Sequence, residues 1–297
     1  MTRICLIGLG EVGRILAEDL LARGGTALSA WDPKFATAGS PPARAVADLP
    51  MRVGSDAADA VRDAEVVISA VTAAQTMAAA TAAAAGLDPG AVFLDLNSGS
   101  PSAKIEAARA IEAAGGLYVE AAVMSPAPPK RIAAPMLLGG PHAKAFLPRA
   151  QALGFAGARF YSAEIGKAAA AKLCRSVIVK GVEAILTESL LSARRYGVEA
   201  DVLASLDDLF PGPDWKTLSR YMISRSIEHG IRRAEEMDEA ARTVADAGIE
   251  PLMCRASVAR QQWAPRCAAA LAYEDLEPML DAMLDEIGGR PDRKSAC

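Results

Sequence analysis

Short apolar runs alternate with longer alanine-rich stretches through the first half of the chain. The runs at 3–7, 27–31, 66–71, 91–96, 117–123 and 135–138 are almost continuously apolar, as strands covered on both faces should be, and the stretches between them have a helical period. That alternation predicts a parallel, doubly wound α/β sheet. The longest uncharged stretch, Val66 to Leu87, is mostly alanine and threonine with Gln75 inside it, so it reads as a strand and a helix rather than a membrane span. The segment after Asp32 is rich in proline and is expected at the surface. From about residue 163 no strand pattern remains. Glu164 to Tyr196 reads as one helix, on the order of 45 Å long at 1.5 Å per residue. Its apolar residues Leu173, Val177, Ile178, Val182, Ile185, Leu186 and Leu190 fall on several faces, which predicts a helix buried all round. The Pro211-Gly212-Pro213 break precedes a second long helix, Asp214 to Ala247, which Gly248 and Pro251 close. The tail from Gly288 is expected to fray. Residues 1–162 are therefore expected to form an α/β domain and residues 163–297 an all-α domain.

The first predicted strand runs directly into G-x-G-x-x-G, with Gly8, Gly10 and Gly13 around Leu9, Glu11 and Val12. In a strand–turn–helix context these glycines have separate uses. Gly8 allows the tight turn, Gly10 lets a pyrophosphate approach the backbone, and Gly13 lets the following helix pack on the sheet. The phosphates would sit on that helix's N-terminus. The next strand ends at Asp32, where the Rossmann-type fingerprint expects an acid on the adenosine ribose. NAD is favoured over NADP on this reading, while Lys34 leaves NADP open, because a nearby cation can accept a 2′-phosphate.

Composition narrows the alternatives. A chain that is 52% hydrophobic and 23% charged, with a formal net charge of −4, has no basic field for nucleic acid or an anionic membrane surface. Five cysteines without a C-x-x-C pair and two histidines are too few ligands in the wrong spacing for a zinc cluster, so no metal is expected and the thiols are expected to be buried and reduced. The apolar segment after Arg3 is short, interrupted by glycines, and meets Glu11 at once. It does not read as a secretory signal, and cytoplasm is the expected location.

Three further segments join the glycine loop: Leu94-Asp95-Leu96-Asn97-Ser98-Gly99-Ser100-Pro101, Glu120-Ala121-Ala122-Val123-Met124-Ser125-Pro126 and Gly166-Lys167-Ala168-Ala169-Ala170-Ala171-Lys172. In order and spacing they resemble the β-hydroxyacid dehydrogenase family, which includes 3-hydroxyisobutyrate and 6-phosphogluconate dehydrogenases. The resemblance implies that Val71, Thr72 and Asn97 join the glycine loop at the cofactor. It makes Met124 and Ser125 part of a substrate loop and Lys172 the residue that moves the substrate proton. A lysine ammonium, of ordinary pKa ~10.4, must be neutral to act as a base, and burial beside a cationic nicotinamide works in that direction.

Two departures from the family pattern bear on the substrate. Ser176 stands where the family has an asparagine one turn beyond the lysine, and the substrate loop lacks the family's Ser-Gly-Gly. Beyond it, Pro126 to Arg131 is expected to be stiff and extended. Its basic end is either an attraction for an anionic substrate or a set of solvated charges.

On the later helix, Arg225, His229, Arg232 and Arg233 form one basic stripe. The segment His229 to Met237 resembles the C-terminal domain of one branch of the same family. His229 and Arg232 are candidates for carboxylate recognition; the alternative is a solvated face laced by Glu228–Arg232 and Arg232–Glu236 pairs. Gly230 in mid-helix suggests a close backbone approach there. Trp215, Tyr221 and Trp263 read as core residues, and His142 as structural.

These features predict an NAD-dependent oxidoreductase acting on a small organic 3-hydroxy acid. The related imine reductases offer an alternative chemistry, although the family resemblance places a different proton donor at the lysine position there. A non-catalytic NAD(P)-binding protein is a third reading. Pairing of two copies through the helical half is also expected, because related enzymes pair there and that half is strongly apolar.

Overall fold

Eight strands form one sheet in the order β3-β2-β1-β4-β5-β6-β7-β8 in the computed structural model, which describes residues 1–288. The strands are β1 (Thr2–Ile7), β2 (Thr26–Trp31), β3 (Arg52–Val53), β4 (Val66–Ser69), β5 (Val92–Asp95), β6 (Leu117–Val123), β7 (Met136–Gly139) and β8 (Ala158–Ser162). All neighbours pair in parallel except β6 and β7, which are antiparallel. The six expected strands are present. β3 and β8 were not foreseen from the sequence. Both lie at the sheet's ends, where β3 is two residues long and exposed and β8 alternates instead of running apolar.

Helices α1 (Glu11–Arg23), α2 (Pro41–Asp48), α3 (Ala57–Val61), α4 (Thr76–Ala84), α5 (Pro101–Ala113) and α6 (Ala143–Leu153) cover the sheet. One face carries α1, α2 and α6 through Leu16, Leu20, Ala45, Phe146 and Leu153. The other carries α3, α4 and α5 through small residues such as Ala60, Ala80, Ala83 and Ala107, packed on Phe93 and Tyr118. Burial on both faces explains why these strands read as apolar runs without alternation. The proline-rich segment after Asp32 is more ordered than its composition suggests. It forms a 3-10 turn at Pro33–Ala36 and then α2, whose N-cap Ser40 is buried and accepts from the backbone of Ala43.

The remaining helices are α7 (Lys167–Tyr196), α8 (Glu199–Leu209), α9 (Trp215–Asp246), α10 (Leu252–Trp263) and α11 (Leu276–Gly288), with a 3-10 segment at Ala264–Ala272. The chain divides into two compact units, Met1–Cys174 and Arg175–Cys297. The second has its own core of Leu186, Leu190, Ile223, Ile227, Met279, Leu280 and Met283. Gly230 marks a close approach, since a Cβ there would lie 2.2 Å from the carbonyl oxygen of Gln261. Among the described residues no helix is long and apolar enough to cross a membrane.

Three expectations are corrected. α7 begins three residues later than expected and is not buried all round, because Ile178 is 70% and Ile185 55% exposed. Cys174 is exposed, whereas Cys5, Cys254 and Cys267 are buried, and burial pushes the Cys5 thiol up to about 12. Tyr221 lies on the exposed side of α9, unlike the partly buried Trp215 and Trp263. Residues 289–297, which include Cys297 and the tail expected to fray, lie outside the described residues.

Candidate functional site

The sheet's register brings one row of residues into line: Trp31, Ile7, Ser69, Asp95, Glu120 and Gly139 are successive neighbours across β2, β1, β4, β5, β6 and β7. The strand order runs outward in both directions from the adjacent pair β1 and β4. In such sheets the crevice at the strands' carboxyl ends, where the order reverses, is where ligands bind. The glycine loop, Val71, Thr72, Asn97 and Met124 all leave the sheet at that edge or next to it.

Each glycine of the loop has a distinct environment. Gly8 turns the chain at φ +93°, and a Cβ on it would lie 2.6 Å from the carbonyl oxygen of Ala70. A Cβ on Gly13 would meet the Gly8 carbonyl oxygen at 2.1 Å, so α1 rests directly on the turn. A Cβ on Gly10 would have nothing within 4 Å. Gly10 is the N-cap of α1 and offers no side chain to the helix's first N–H groups. Open space in front of uncapped donors, with exposed Glu11 and Val12 beside it, fits a pyrophosphate.

Asp32 is buried, and each of its carboxylate oxygens accepts one backbone N–H at 2.9 Å, Oδ2 from Leu9 and Oδ1 from Lys34. A carboxylate offers about four acceptor sites. Two therefore remain for ribose hydroxyls after the glycine loop has been fixed. Asn97 joins the ends of β4 and β5. Its Oδ1 accepts from Val71 N at 2.7 Å and its Nδ2 donates to Ser69 Oγ at 2.9 Å. Thr72 is exposed and begins a 3-10 turn at Ala73–Gln75.

Lys172, in the second turn of α7, donates from Nζ to Ser98 Oγ at 2.7 Å. Ser98 follows Asn97 in the segment that resembles the dehydrogenase family, and nothing in the sequence announces its contact with the lysine. Met124 packs with Ala171 against Ala122, Leu137 and Ala168. Ser125 is half-buried and donates to the carbonyl oxygen of Pro126 at 3.1 Å.

The segment after Ser125 is not extended. It turns at 128–130 into a 3-10 segment, Arg131–Ala133, and Arg131 N donates to Ala127 O. The cause is an acidic pair on α1. Arg131 donates to Asp19 and Glu18 at 2.7 and 2.8 Å, and Ile132 N donates to the second oxygen of Asp19 at 3.0 Å. Arg131 is thus committed to α1, and its guanidinium, followed by that of Arg14, holds Glu18 below the usual carboxylate range.

Beneath this edge lies a buried polar cluster that the sequence reading passed over. Lys104 of α5 pairs with Asp95 at 2.8 Å, Tyr118 donates to the other oxygen of Asp95 at 2.7 Å, and the backbone N of Asn97 donates to Asp95 at 2.9 Å. Glu120 accepts from the backbone N–H groups of Gly166, Ala168 and Ala169 at 2.6, 2.7 and 3.4 Å. Burial pushes the Glu120 carboxyl up, and Lys104 and these three donors oppose the shift. The signal was available: Asp95 and Glu120 are acids inside apolar strand runs, which an interior does not admit without partners.

Residues 3–163, more than half of the chain, match the NAD binding domain of 6-phosphogluconate dehydrogenase. The chain belongs to this family. Residues 193–264 match a domain of unknown function (DUF1932). A conserved hypothetical protein from Sinorhizobium meliloti 1021 is 37% identical over 95% of this chain and 96% of its own, with a TM-score of 0.72. A conserved protein of unknown function, reported as structurally similar to 3-hydroxyacid dehydrogenases, is 28% identical over 96% of this chain and 99% of its own, with a TM-score of 0.69. Mycobacterium tuberculosis 3-hydroxyisobutyrate dehydrogenase shares the fold at 20% identity and a TM-score of 0.70, over 96% of this chain and 99% of its own. No curated protein matches. The chain is thus a β-hydroxyacid dehydrogenase family member with its own C-terminal domain, and its nicotinamide dinucleotide-binding domain carries the glycine loop and Asp32.

In this family member, Ser176, His229 and Arg232 belong to the second unit. Lys180 donates to Ser176 Oγ at 3.3 Å and pairs with Glu236 at 2.8 Å, and Glu236 also pairs with Arg232 at 2.5 Å. His229 Nε2 lies 3.2 Å from Glu228, which pairs with Arg225 instead of the expected Arg232. Burial, and then the Arg225 charge, hold His229 below the usual imidazole range. Arg233 turns inward to the buried Glu183, which also accepts from Gln261 at 3.0 Å. Of the two pairs expected along the basic stripe, Arg232–Glu236 is present and Glu228–Arg232 is not, and Arg225 and Arg233 are mostly covered and paired with Glu228 and Glu183.

Proposed function

We propose that this protein is an NAD-dependent oxidoreductase acting on a 3-hydroxy acid, with Lys172 as its general acid/base. The observation that carries the reading is the Lys172 Nζ–Ser98 Oγ hydrogen bond at 2.7 Å, on the strand end that Asn97 ties to the loop after β4. When bound, the nicotinamide exchanges the hydride with the substrate. Gly8, Leu9, Gly10, Glu11, Val12 and Gly13 hold the pyrophosphate, Asp32 the adenosine ribose, and Val71, Thr72 and Asn97 line the way to the nicotinamide end. Lys172 in its neutral form takes the proton from the substrate hydroxyl oxygen, and as an ammonium returns it in the reverse direction. Ser98 keeps the amine oriented, while Met124 and Ser125 recognise the acid.

Buried Asp32 favours NAD, because its carboxylate repels a 2′-phosphate. Titration with NADH and NADPH, followed by energy transfer from the tryptophans, is expected to show tighter NADH binding. Asp32→Ala should weaken it about 10- to 100-fold, the range for a lost hydrogen bond to a charged group. Tighter NADPH binding would transfer the assignment to NADP, and binding of neither would remove the oxidoreductase reading. A panel of 3-hydroxy acids run beside a panel of imines then fixes the reaction; turnover of imines alone overturns the alcohol chemistry.

The helical half is also proposed to pair two copies. Exposed Ile178 and Ile185 are seven residues apart on α7 and share a face, as residues two turns apart do. Light scattering at micromolar concentration should give twice the chain mass, and a monomer mass would contradict the pairing.

A further inference from the structure

We propose that Glu120 is a positioning residue for the Lys172 amine, its carboxylate clamping the first turn of α7 so that the lysine leaves the helix toward Ser98. The proposal rests on the assignment of Lys172 given above. The first N–H groups of a helix have no partner within the helix and are ordinarily capped by a nearby serine, threonine or aspartate. Here the cap comes from another strand. Glu120 Oε2 accepts from Gly166 N at 2.6 Å, and Oε1 accepts from Ala168 N at 2.7 Å and Ala169 N at 3.4 Å. Lys172 follows Ala168 and Ala169 by four and three residues, so it stands one turn above the clamp.

The surroundings are shaped around this carboxylate. Glu120 is 1% exposed. Its neighbour in register on β7 is Gly139, where a Cβ would come within 2.5 Å of Oε1. The chain enters α7 through Gly166 at φ +92°, where a Cβ would lie 3.1 Å from Cβ of Pro101, the first residue of α5. Three residues before Pro101 is Ser98, the partner of the amine. The register neighbour of Glu120 on β5 is Asp95, which accepts from Asn97 N and so fixes the start of the Ser98 loop. Two adjacent carboxylates thus hold the two halves of the Lys172–Ser98 pair, and buried Lys104, paired with Asp95, supplies the countercharge. A buried carboxylate costs more than an exposed cap, since its desolvation must be offset by partners. Orientation of α7 is what the additional bonds achieve.

The test uses the full chain with lysine labelled at 13Cε. The Lys172 resonance is identified by its loss in Lys172→Arg, and it is then followed in Glu120→Gln and Glu120→Asp, with NADH affinity measured in parallel. Glu120→Gln keeps the shape but turns an amide N–H2 toward donors; Glu120→Asp keeps the charge and withdraws it by one methylene. The expected result is that the Lys172 resonance moves toward those of exposed lysines in Glu120→Gln, and moves less in Glu120→Asp, with NADH affinity retained. Where a turnover assay is in hand, kcat falls about 10²-fold, as for an ångström-scale misplacement, with the KM for NADH unchanged. An unmoved resonance in folded Glu120→Gln overturns the proposal. Failure of both variants to fold also overturns it, because Glu120 is then a structural residue. The resonance needs no substrate, so failure of the catalytic assignment shows separately, as undiminished turnover in Lys172→Met.

Discussion

Lys172→Met is expected to lower kcat by about 10²- to 10⁴-fold, the usual contribution of a positioned acid/base group, while leaving NADH affinity unchanged. Methionine keeps an unbranched side chain of similar reach on α7, so the packing of Ala168, Ala171 and Met124 is preserved and only the proton carrier is removed. Ser98→Ala removes the partner at 2.7 Å and not the amine, and its effect should be smaller, about 2- to 10-fold from the loss of one hydrogen bond. Steady-state kinetics and dinucleotide titration on the same preparations separate these outcomes. Near-normal kcat in Lys172→Met would make the lysine a surface cation of α7 with no part in proton transfer.

Gly13→Ala and Gly10→Ala should both abolish dinucleotide binding, but for different reasons that melting temperature distinguishes. At Gly13 the new methyl would lie 2.1 Å from the Gly8 carbonyl oxygen, so α1 must lift from the turn beneath it. Forced repacking of this kind costs roughly 1–3 kcal/mol. It outweighs the ~1 kcal/mol that alanine gains over glycine within a helix, and the melting temperature should fall by several degrees. At Gly10 the methyl meets nothing within 4 Å, so stability is unchanged and only the space in front of α1 is filled. Loss of binding in Gly13→Ala alone would place the phosphates away from the helix N-terminus.

The parts of this molecule that were legible in the sequence are those whose determinants are close together in the chain. The glycine loop lies within six residues, and the β1–α1–β2 unit follows from it with Asp32 in place. The Lys172 helix and the change to an all-helical pattern were equally local. What escaped detection depends on pairing between distant segments. β3 and β8 exist because β2 and β7 offer them edges, and neither contains an apolar run of its own. Asp95 and Glu120 were visible as misplaced acids, but only the register of β5 against β6 puts them side by side with Lys104 between them in function. Arg131 and Asp19 are separated by 112 residues, so the fold of the segment after Ser125 was hidden in an ion pair no local pattern announces. Ile178 and Ile185 show the opposite failure, since apolar residues around a helix do not tell which of its faces pack within the chain and which stay exposed.

The clamp at Arg131 also isolates the segment before it from α1. On one side Met124 N is bonded to Pro135 O, holding the end of the β6–β7 pair; on the other, Arg131 and Ile132 are fastened to α1. Between these fixed points, residues 125–130 form a bridge whose inner bond to the Arg131 end is backbone to backbone, Arg131 N to Ala127 O, and so does not depend on the side chains it carries. Surface segments of this kind tolerate exchange. Exchange of residues in this stretch, in sequence or in length, is therefore expected to leave α1 and the dinucleotide site proposed at its N-terminus undisturbed, which NADH titration of such variants checks.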